Sequence, residues 1–388
     1  MKKKIAILGS TGSIGQSTLD VIKKDKKKFD IIFLSSNNNY KKLITQAKEF
    51  RAKNVLIKNK NFYNKVKISL KRTNTKVFCG DMPLNKIIKI KIDYTMSAIV
   101  GIAGLQPTID AVKFSKIVAI ANKESIICGW HILLKHINRH KTKILPVDSE
   151  HFSIMELTKN STNEEIEEII ITASGGPFLN TPIKKLKNKK PNEATKHPKW
   201  KMGKKISVDS ANLMNKVFEV IEAYKFFNFD LSKYKIMVHP QSYVHSIIRF
   251  RNGLVKMVLY NPDMKIPISN TLYENRKFFT STSKIKLNNL NNLNFQEVNS
   301  KKFPSIKLIQ KSLRSGFSTP IIVNAANEVL VDLFLKGKIG FLDIVTTINK
   351  IFNDKDFKKY ARSKAISIKE IKIIDNWSRL KTINLCVR

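Results

Sequence analysis

The run Gly9-Ser10-Thr11-Gly12-Ser13-Ile14-Gly15 constrains this chain more than any other feature. It follows a short apolar segment, Ile5–Leu8, and opens a stretch of helical periodicity that includes Ser17–Lys24. Glycines at these spacings permit a tight turn, close backbone approach to a pyrophosphate and close helix–strand packing. The helix that follows offers unpaired N–H groups and a positive dipole end to phosphate oxygens. Strand, glycine turn and helix start together predict a Rossmann-like, doubly wound α/β sheet. The rest of residues 1–150 fits, because Ile31–Leu34, Asn54–Ile57, Tyr94–Met96, Ile117–Ala121 and Ile144–Val147 are short apolar runs bounded by turn residues.

In such a sheet the second strand ends about 20 residues after the glycines, where a carboxylate marks an NAD enzyme by holding the ribose 2′-hydroxyl. Here that place reads Ser35-Ser36-Asn37-Asn38-Asn39. No acid repels a 2′-phosphate, so NADPH is expected over NADH.

A second, catalytic α/β domain is expected over 151–282. It has a strand at Ile169–Ala173, a Lys-rich loop over Pro182–Lys205, a helix over Ala211–Phe227, and strands near Ile236–Val238 and Val244–Phe250. Residues 283–300, opening on the Asn-rich Ser283–Asn294, read as a connector. Ile306–Leu313, Pro320–Lys336 and Leu342–Phe352 carry helical periodicity and predict a helical C-terminal domain over 301–388.

The polar residues cluster in ways that suit a metal and a phosphate. Strand Ile144–Val147 runs into Asp148-Ser149-Glu150-His151, and in extended chain Asp148 and Glu150 point the same way. Asn215 and Lys216 stand four and three residues before Glu219, on adjoining helix surface. Carboxylates without a cysteine cluster favour a hard cation, Mg²⁺ or Mn²⁺ with Co²⁺ beside them, over zinc. Ser174-Gly175-Gly176-Pro177 follows a strand, where backbone N–H groups and a hydroxyl can hold an anion. Ser210, Asn215 and Lys216 add a hydroxyl, an amide and an ammonium. Trp200 and Met202, in the loop 182–205, suit a lid that excludes water.

The formal charge of +41 points first to a polyanion-binding protein. Its lysines, however, are spread along the chain instead of forming the stripe or tail that a nucleic-acid surface uses. No specific nucleic-acid partner is expected, and a steep salt dependence of affinity would show one. No apolar run reaches the length of a membrane span, and the apolar residues before Gly9 are too few for a signal peptide. The three cysteines lack metal or redox spacing, which fits a reducing, cytoplasmic setting.

Taken in order, the glycine turn, Asn122-Lys123-Glu124-Ser125, Val147 to His151, Ser174 to Phe178, His197-Pro198 with Trp200 and Met202-Gly203, Ser207 to Glu219, and His239-Pro240-Gln241-Ser242 resemble the motif set of the 1-deoxy-D-xylulose 5-phosphate reductoisomerase family. The resemblance covers nearly the whole chain, including Pro262-Asp263-Met264. It implies a homodimeric enzyme of the non-mevalonate isoprenoid route that rearranges and reduces its phosphorylated sugar substrate with NADPH and a divalent metal. It implies that Asp148, Glu150 and Glu219 hold the metal and, with Lys123, form the catalytic set. Ser149, Ser174, His197, Ser210, Asn215 and Lys216 would bind substrate, with Trp200 and Met202 closing over it and His239 and Met264 at the border. Thr11, Gly12, Ser13, Ile14, Asn39, Asn122, Glu124 and Gly203 would line the cofactor site. Asn37 and Asn38 stand where the family has glycine and lysine, so they would meet the 2′-phosphate without a positive charge. The alternative reading is another NADP- and metal-dependent oxidoreductase of a phosphorylated sugar.

Overall fold

The computed structural model describes residues 2–200, 202–274 and 284–386. Lys201 of the expected lid, 275–282 of the expected catalytic domain, Ser283 of the connector and the last two residues lie outside the described residues. The chain's contacts divide it into two units. One comprises Met1–Ser125, Gly129–Phe152 and Met264–Thr282; the other comprises Ile126–Cys128, Ser153–Asp263 and Ser283–Arg388.

The first unit is built on strands β1 (Lys3–Leu8), β2 (Phe29–Ser36), β3 (Asn54–Ile57), β4 (Lys76–Cys79), β5 (Ile92–Ser97), β6 (Ser115–Ile120) and β7 (Lys143–Pro146). They lie in the order β4-β3-β2-β1-β5-β6-β7, and every pairing is parallel. Parallel sheets bury both faces, which is why β1 and β2 read as unbroken apolar runs, with Ile5, Ala6, Ile7, Phe33 and Leu34 inaccessible to solvent. Strand β4, at one edge, escapes the sequence reading because none of its residues is fully buried, unlike Leu145 and Pro146 of the other edge strand, β7, which are buried. With Lys76 exposed, it does not need the same apolar density. Chain order reverses between β1 and β5, so the crevice beyond their carboxyl ends is where such a sheet takes its ligand.

Helix Lys265–Tyr273, which the sequence division left with the second domain, belongs to the first unit. It packs beside helix Ser13–Lys23, where Lys265 meets Asp20 at 2.9 Å, and Thr271 shares a 3.0 Å hydrogen bond with the buried hydroxyl of Tyr94.

The second unit holds β8 (Ile166–Ala173), β9 (Tyr234–Val238), β10 (Val244–Phe250), β11 (Val255–Leu259) and β12 (Gln296–Glu297), in the order β11-β10-β8-β9-β12. Only β8 and β9 run parallel. Alternation along β8 sends Ile169 and Ile171 into a core with Val220, Ile248 and Phe250, and Ile170 to the other face against Val244 and Ile247. The Asn-rich connector is pinned to the turn after β9, since Gln241 donates to Asn292 O and His239 Nδ1 lies 2.9 Å from Asn294 O. Helices Thr319–Leu335, Asp343–Ile351 and Ile368–Cys386 pack on one another beyond it. No helix among the described residues is long and apolar enough to cross a membrane.

Candidate active site

In the first unit the glycine turn leaves β1 in a conformation that side chains resist. Gly9 has φ +81°, and a Cβ there would sit 2.8 Å from Ala98 O. At Gly15 a Cβ would sit 2.4 Å from Gly9 O, so helix Ser13–Lys23 lies directly on the turn. Gly12 caps that helix with no side-chain hydrogen bond, which leaves the first-turn N–H groups to an anion. Thr11 Oγ1 reaches Ser36 Oγ at the end of β2, 2.8 Å away. Buried Ser10 exchanges two hydrogen bonds with Gln46 of helix Tyr40–Phe50. A pyrophosphate fits this cradle of open N–H groups and absent side chains.

Asn122 is buried and fully committed. Its Oδ1 accepts from Ser125 N, and its Nδ2 donates to the carbonyl oxygens of Ile99 and Gly101. It therefore holds the loop after β5 against the start of helix Lys123–His140. The sequence reading missed this loop. Its signal was available in Gly101 and Gly104, a second glycine-rich turn following a strand.

Asp148 and Glu150 are not in extended chain as expected. The strand stops at Pro146, helix Ser149–Thr158 begins at once, and Asp148 O accepts its first bond from Phe152 N at 2.8 Å. Helix geometry therefore replaces alternation, and Asp148 Oδ1 accepts from Glu150 N at 3.2 Å. The two still present ligand oxygens within 4.8 Å of each other, and a helix N-terminus favours their charge. Lys123 Nζ lies 3.4 Å from Asp148 Oδ2, His151 Nδ1 3.2 Å from Oδ1, and Ser149 Oγ donates to Glu150. An all-oxygen set of this kind fits a hard divalent cation.

In the second unit the helix expected over Ala211–Phe227 is two, Lys204–Ala211 and Met214–Phe227. Leu213 breaks them with φ +60°, a left-handed geometry held by its burial against Ala173 and Phe303. Such a residue costs about 1–2 kcal/mol, and the break places Asn215 and Lys216 in the first turn of a new helix. Lys216 Nζ donates to Glu219 Oε2 at 2.5 Å, and Asn215 Nδ2 donates to Oε1. Ser210 lies in the last turn of the preceding helix. Gly176, at φ +66°, lies so close that a Cβ would meet Ser210 O at 2.6 Å. The Ser174 loop and the Ser210 helix are thus one packed surface.

His197 orients Ser174. The backbone N–H groups of Trp200 and Lys199 both donate to His197 Nδ1, so Nε2 carries the proton and donates to Ser174 Oγ at 2.9 Å. Gly176 N also donates to that oxygen, at 3.1 Å. The serine accepts twice, which leaves its own proton to donate elsewhere. Trp200 stands edge-on to His245 at 6.0 Å, and His245 stacks on Tyr260 at 4.0 Å. The loop 182–205 contains the short helices Ile183–Asn188 and Pro191–Ala194. His239 has no polar atom to spare, because Nε2 accepts from Tyr243 N, Nδ1 faces Asn294 O, and burial pushes its pKa down. Gly203 caps helix Lys204–Ala211, and a Cβ there would meet nothing within 4 Å.

Fold and site define an α/β dinucleotide-dependent enzyme with carboxylates at one helix start and an anion cradle in a second unit. The family model described as 1-deoxy-D-xylulose 5-phosphate reductoisomerase matches residues 5–129, and its two C-terminal domain models match 144–227 and 259–381. The chain belongs to the 1-deoxy-D-xylulose 5-phosphate reductoisomerase family. It is 46% identical over 387 residues to the Pelagibacter ubique protein of that name, covering 99% of this chain and 100% of the relative. The solved Zymomonas mobilis reductoisomerase in complex with NADPH superposes with a TM-score of 0.91 at 36% identity, covering 100% of this chain and 99% of that one. A reductoisomerase in complex with NADPH, fosmidomycin and magnesium gives 0.93 at 32% identity, over 99% and 98%.

Proposed function

We propose that the chain converts 1-deoxy-D-xylulose 5-phosphate to 2-C-methyl-D-erythritol 4-phosphate, the reductive rearrangement of the non-mevalonate isoprenoid route. The observation that carries this reading is the shared turn of Asn215, Lys216 and Glu219, in which phosphate donors and a metal ligand leave the same stretch of helix. Ser174, Ser210, Asn215 and Lys216 hold the substrate phosphate, and His197 keeps the Ser174 proton directed toward it. Asp148, Glu150 and Glu219 are assigned to Mg²⁺ or Mn²⁺, with Lys123 and Ser149 facing the carbonyl and hydroxyl groups. The bound ion would act as Lewis acid on those oxygens, and NADPH would supply hydride. Anchoring the phosphate keeps the reacting carbons in place while the skeleton changes. The direct test is NADPH oxidation with this substrate, with and without Mg²⁺ or Mn²⁺; no substrate-dependent oxidation with either ion sinks the reading.

Trp200, half-buried beside His245, belongs to the lid. When a substrate analogue and NADPH bind together, tryptic cleavage between Lys184 and Lys205 should slow several-fold and Trp200 fluorescence should change. Unchanged proteolysis in the ternary complex removes the lid. The working form is a cytoplasmic homodimer. The edge strand β11, unpaired on one side among the described residues, carrying exposed Val255 and Met257 and preceded by exposed Leu254, supports pairing with a second copy. Light scattering at the mass of one chain would refute the dimer.

A further inference from the structure

The three asparagines at the end of β2 do not leave a charged group for the cofactor's 2′-phosphate. Asn39 is a helix cap, its Oδ1 accepting from Lys42 N at 3.2 Å. Asn38 Oδ1 accepts from Asn59 Nδ2 at 2.9 Å, and Asn37 O accepts from Asn59 N at 3.1 Å. Both residues are tied to the turn after β3, and neither carries charge.

A cation nevertheless reaches this place from the first turn of helix Tyr40–Phe50. Lys42 is half-buried, and its Nζ donates to Gln16 Oε1 on the helix that starts from the glycine turn. Gln16 Nε2 in turn donates to Thr11 O at 2.7 Å, and Thr11 Oγ1 reaches Ser36 Oγ at 2.8 Å. One hydrogen-bonded chain therefore links the ammonium, the glycine turn and the hydroxyl at the end of β2. In a sheet of this topology the adenosine ribose lies over the end of the second strand, beside that turn. The base of the helix is itself braced, since Tyr40 stacks on Phe62 with ring centroids 4.7 Å apart.

We propose that Lys42, and not Asn37 or Asn38, supplies the positive charge that reads the 2′-phosphate of NADPH in this chain. The inference rests on the cofactor reading above and assigns its specificity to one residue. Gln16 holds the ammonium in reserve as a neutral acceptor, which a phosphate dianion displaces because its negative charge adds ion-pair attraction to the hydrogen bond. Lysine here replaces, from one helical turn away, the charge that the strand end lacks.

The test is calorimetric binding of two probes to the full chain, without metal or substrate: adenosine 2′,5′-bisphosphate and adenosine 5′-monophosphate. The wild type should bind the bisphosphate at least about tenfold more tightly, the contribution of one charged hydrogen bond. Lys42→Met should lower that ratio by about tenfold. So should Lys42→Gln, which keeps a polar end without charge, and thermal unfolding of both should stay near wild type. Lys48→Met removes the same charge from the exposed last turn of the same helix and should leave the ratio unchanged. An unaltered ratio in Lys42→Gln overturns the proposal and leaves the NADPH reading standing. Equal losses in Lys42→Gln and Lys48→Met overturn it as well, since a diffuse field would then be the cause. A wild type that binds neither probe overturns both readings.

Discussion

Glu219→Gln should lower kcat by at least about a thousandfold, the scale on which single electrostatic groups act in closed sites. Glu219 is 1% exposed, and its two oxygens receive Asn215 Nδ2 and Lys216 Nζ. Glutamine has the same shape but one acceptor and no charge. On the proposed assignment it withdraws a ligand from the metal, and it leaves Lys216 buried beside an amide. Breaking a buried ion pair from one side costs about 3–5 kcal/mol, so lower stability should accompany the lost turnover. Two further variants separate these effects. Glu219→Gln combined with Lys216→Met removes the stranded charge and should regain stability without regaining activity. Asp148→Asn, at a more exposed carboxylate, should lose turnover with a smaller change in stability. The measurements are kcat with saturating Mn²⁺, urea unfolding, and Mn²⁺ affinity by electron paramagnetic resonance. Near-wild-type turnover and Mn²⁺ affinity in folded Glu219→Gln would remove that residue from the metal site.

What the sequence showed and what it hid divide along physical lines. Strands that hold two or more buried residues announce themselves, so β1, β2, β3, β5, β6 and the edge strand β7 were legible as apolar runs. Strands β4 and β11 were not, because neither holds a fully buried residue and so neither needs the same apolar density. The spacing of Asn215, Lys216 and Glu219 was readable because helical neighbours follow from period alone. The left-handed break at Leu213 was not, since leucine gives no sign of a turn and only its burial against Ala173 and Phe303 holds it there. Asp148 and Glu150 show the limit of local reasoning. The two carboxylates do lie together, but alternation was extended to Glu150, four residues past the strand's end at Pro146 and already inside the helix. The polar atoms of Asn39 and Asn122 were assigned toward a ligand, yet much of their capacity goes to capping helices. A cap and a ligand contact draw on the same residue types, and only the geometry tells them apart.

The glycine turn yields a prediction whose sign runs against helix propensity. Gly15 lies inside helix Ser13–Lys23, where replacing glycine by alanine ordinarily stabilises by about 1 kcal/mol. Here the new methyl would sit 2.4 Å from Gly9 O, 2.5 Å from Ser10 Cα and 2.7 Å from Ser10 C. None of these is the tip of a flexible side chain. The backbone they belong to is fixed in turn, as Gly9 N donates to Ser35 Oγ at 3.0 Å and Ser10 N to Ser35 O at 2.8 Å. The clash must push the helix off the sheet or deform the turn, so Gly15→Ala should destabilise the protein by about 3 kcal/mol. NADPH binding should fall with it, because the helix start no longer faces the pyrophosphate. Gly12→Ala is the matched control. Its φ of −75° suits any residue, and its nearest contact, Gly9 O at 3.4 Å, is near ordinary packing. It should unfold in urea close to wild type yet bind NADPH at least about tenfold more weakly, through a methyl placed where backbone and phosphate meet. Urea midpoints and NADPH titrations on the two variants decide the matter. A Gly15→Ala protein as stable as wild type would mean that helix and turn are not in the contact described, and tight NADPH binding by Gly12→Ala would move the pyrophosphate away from this turn.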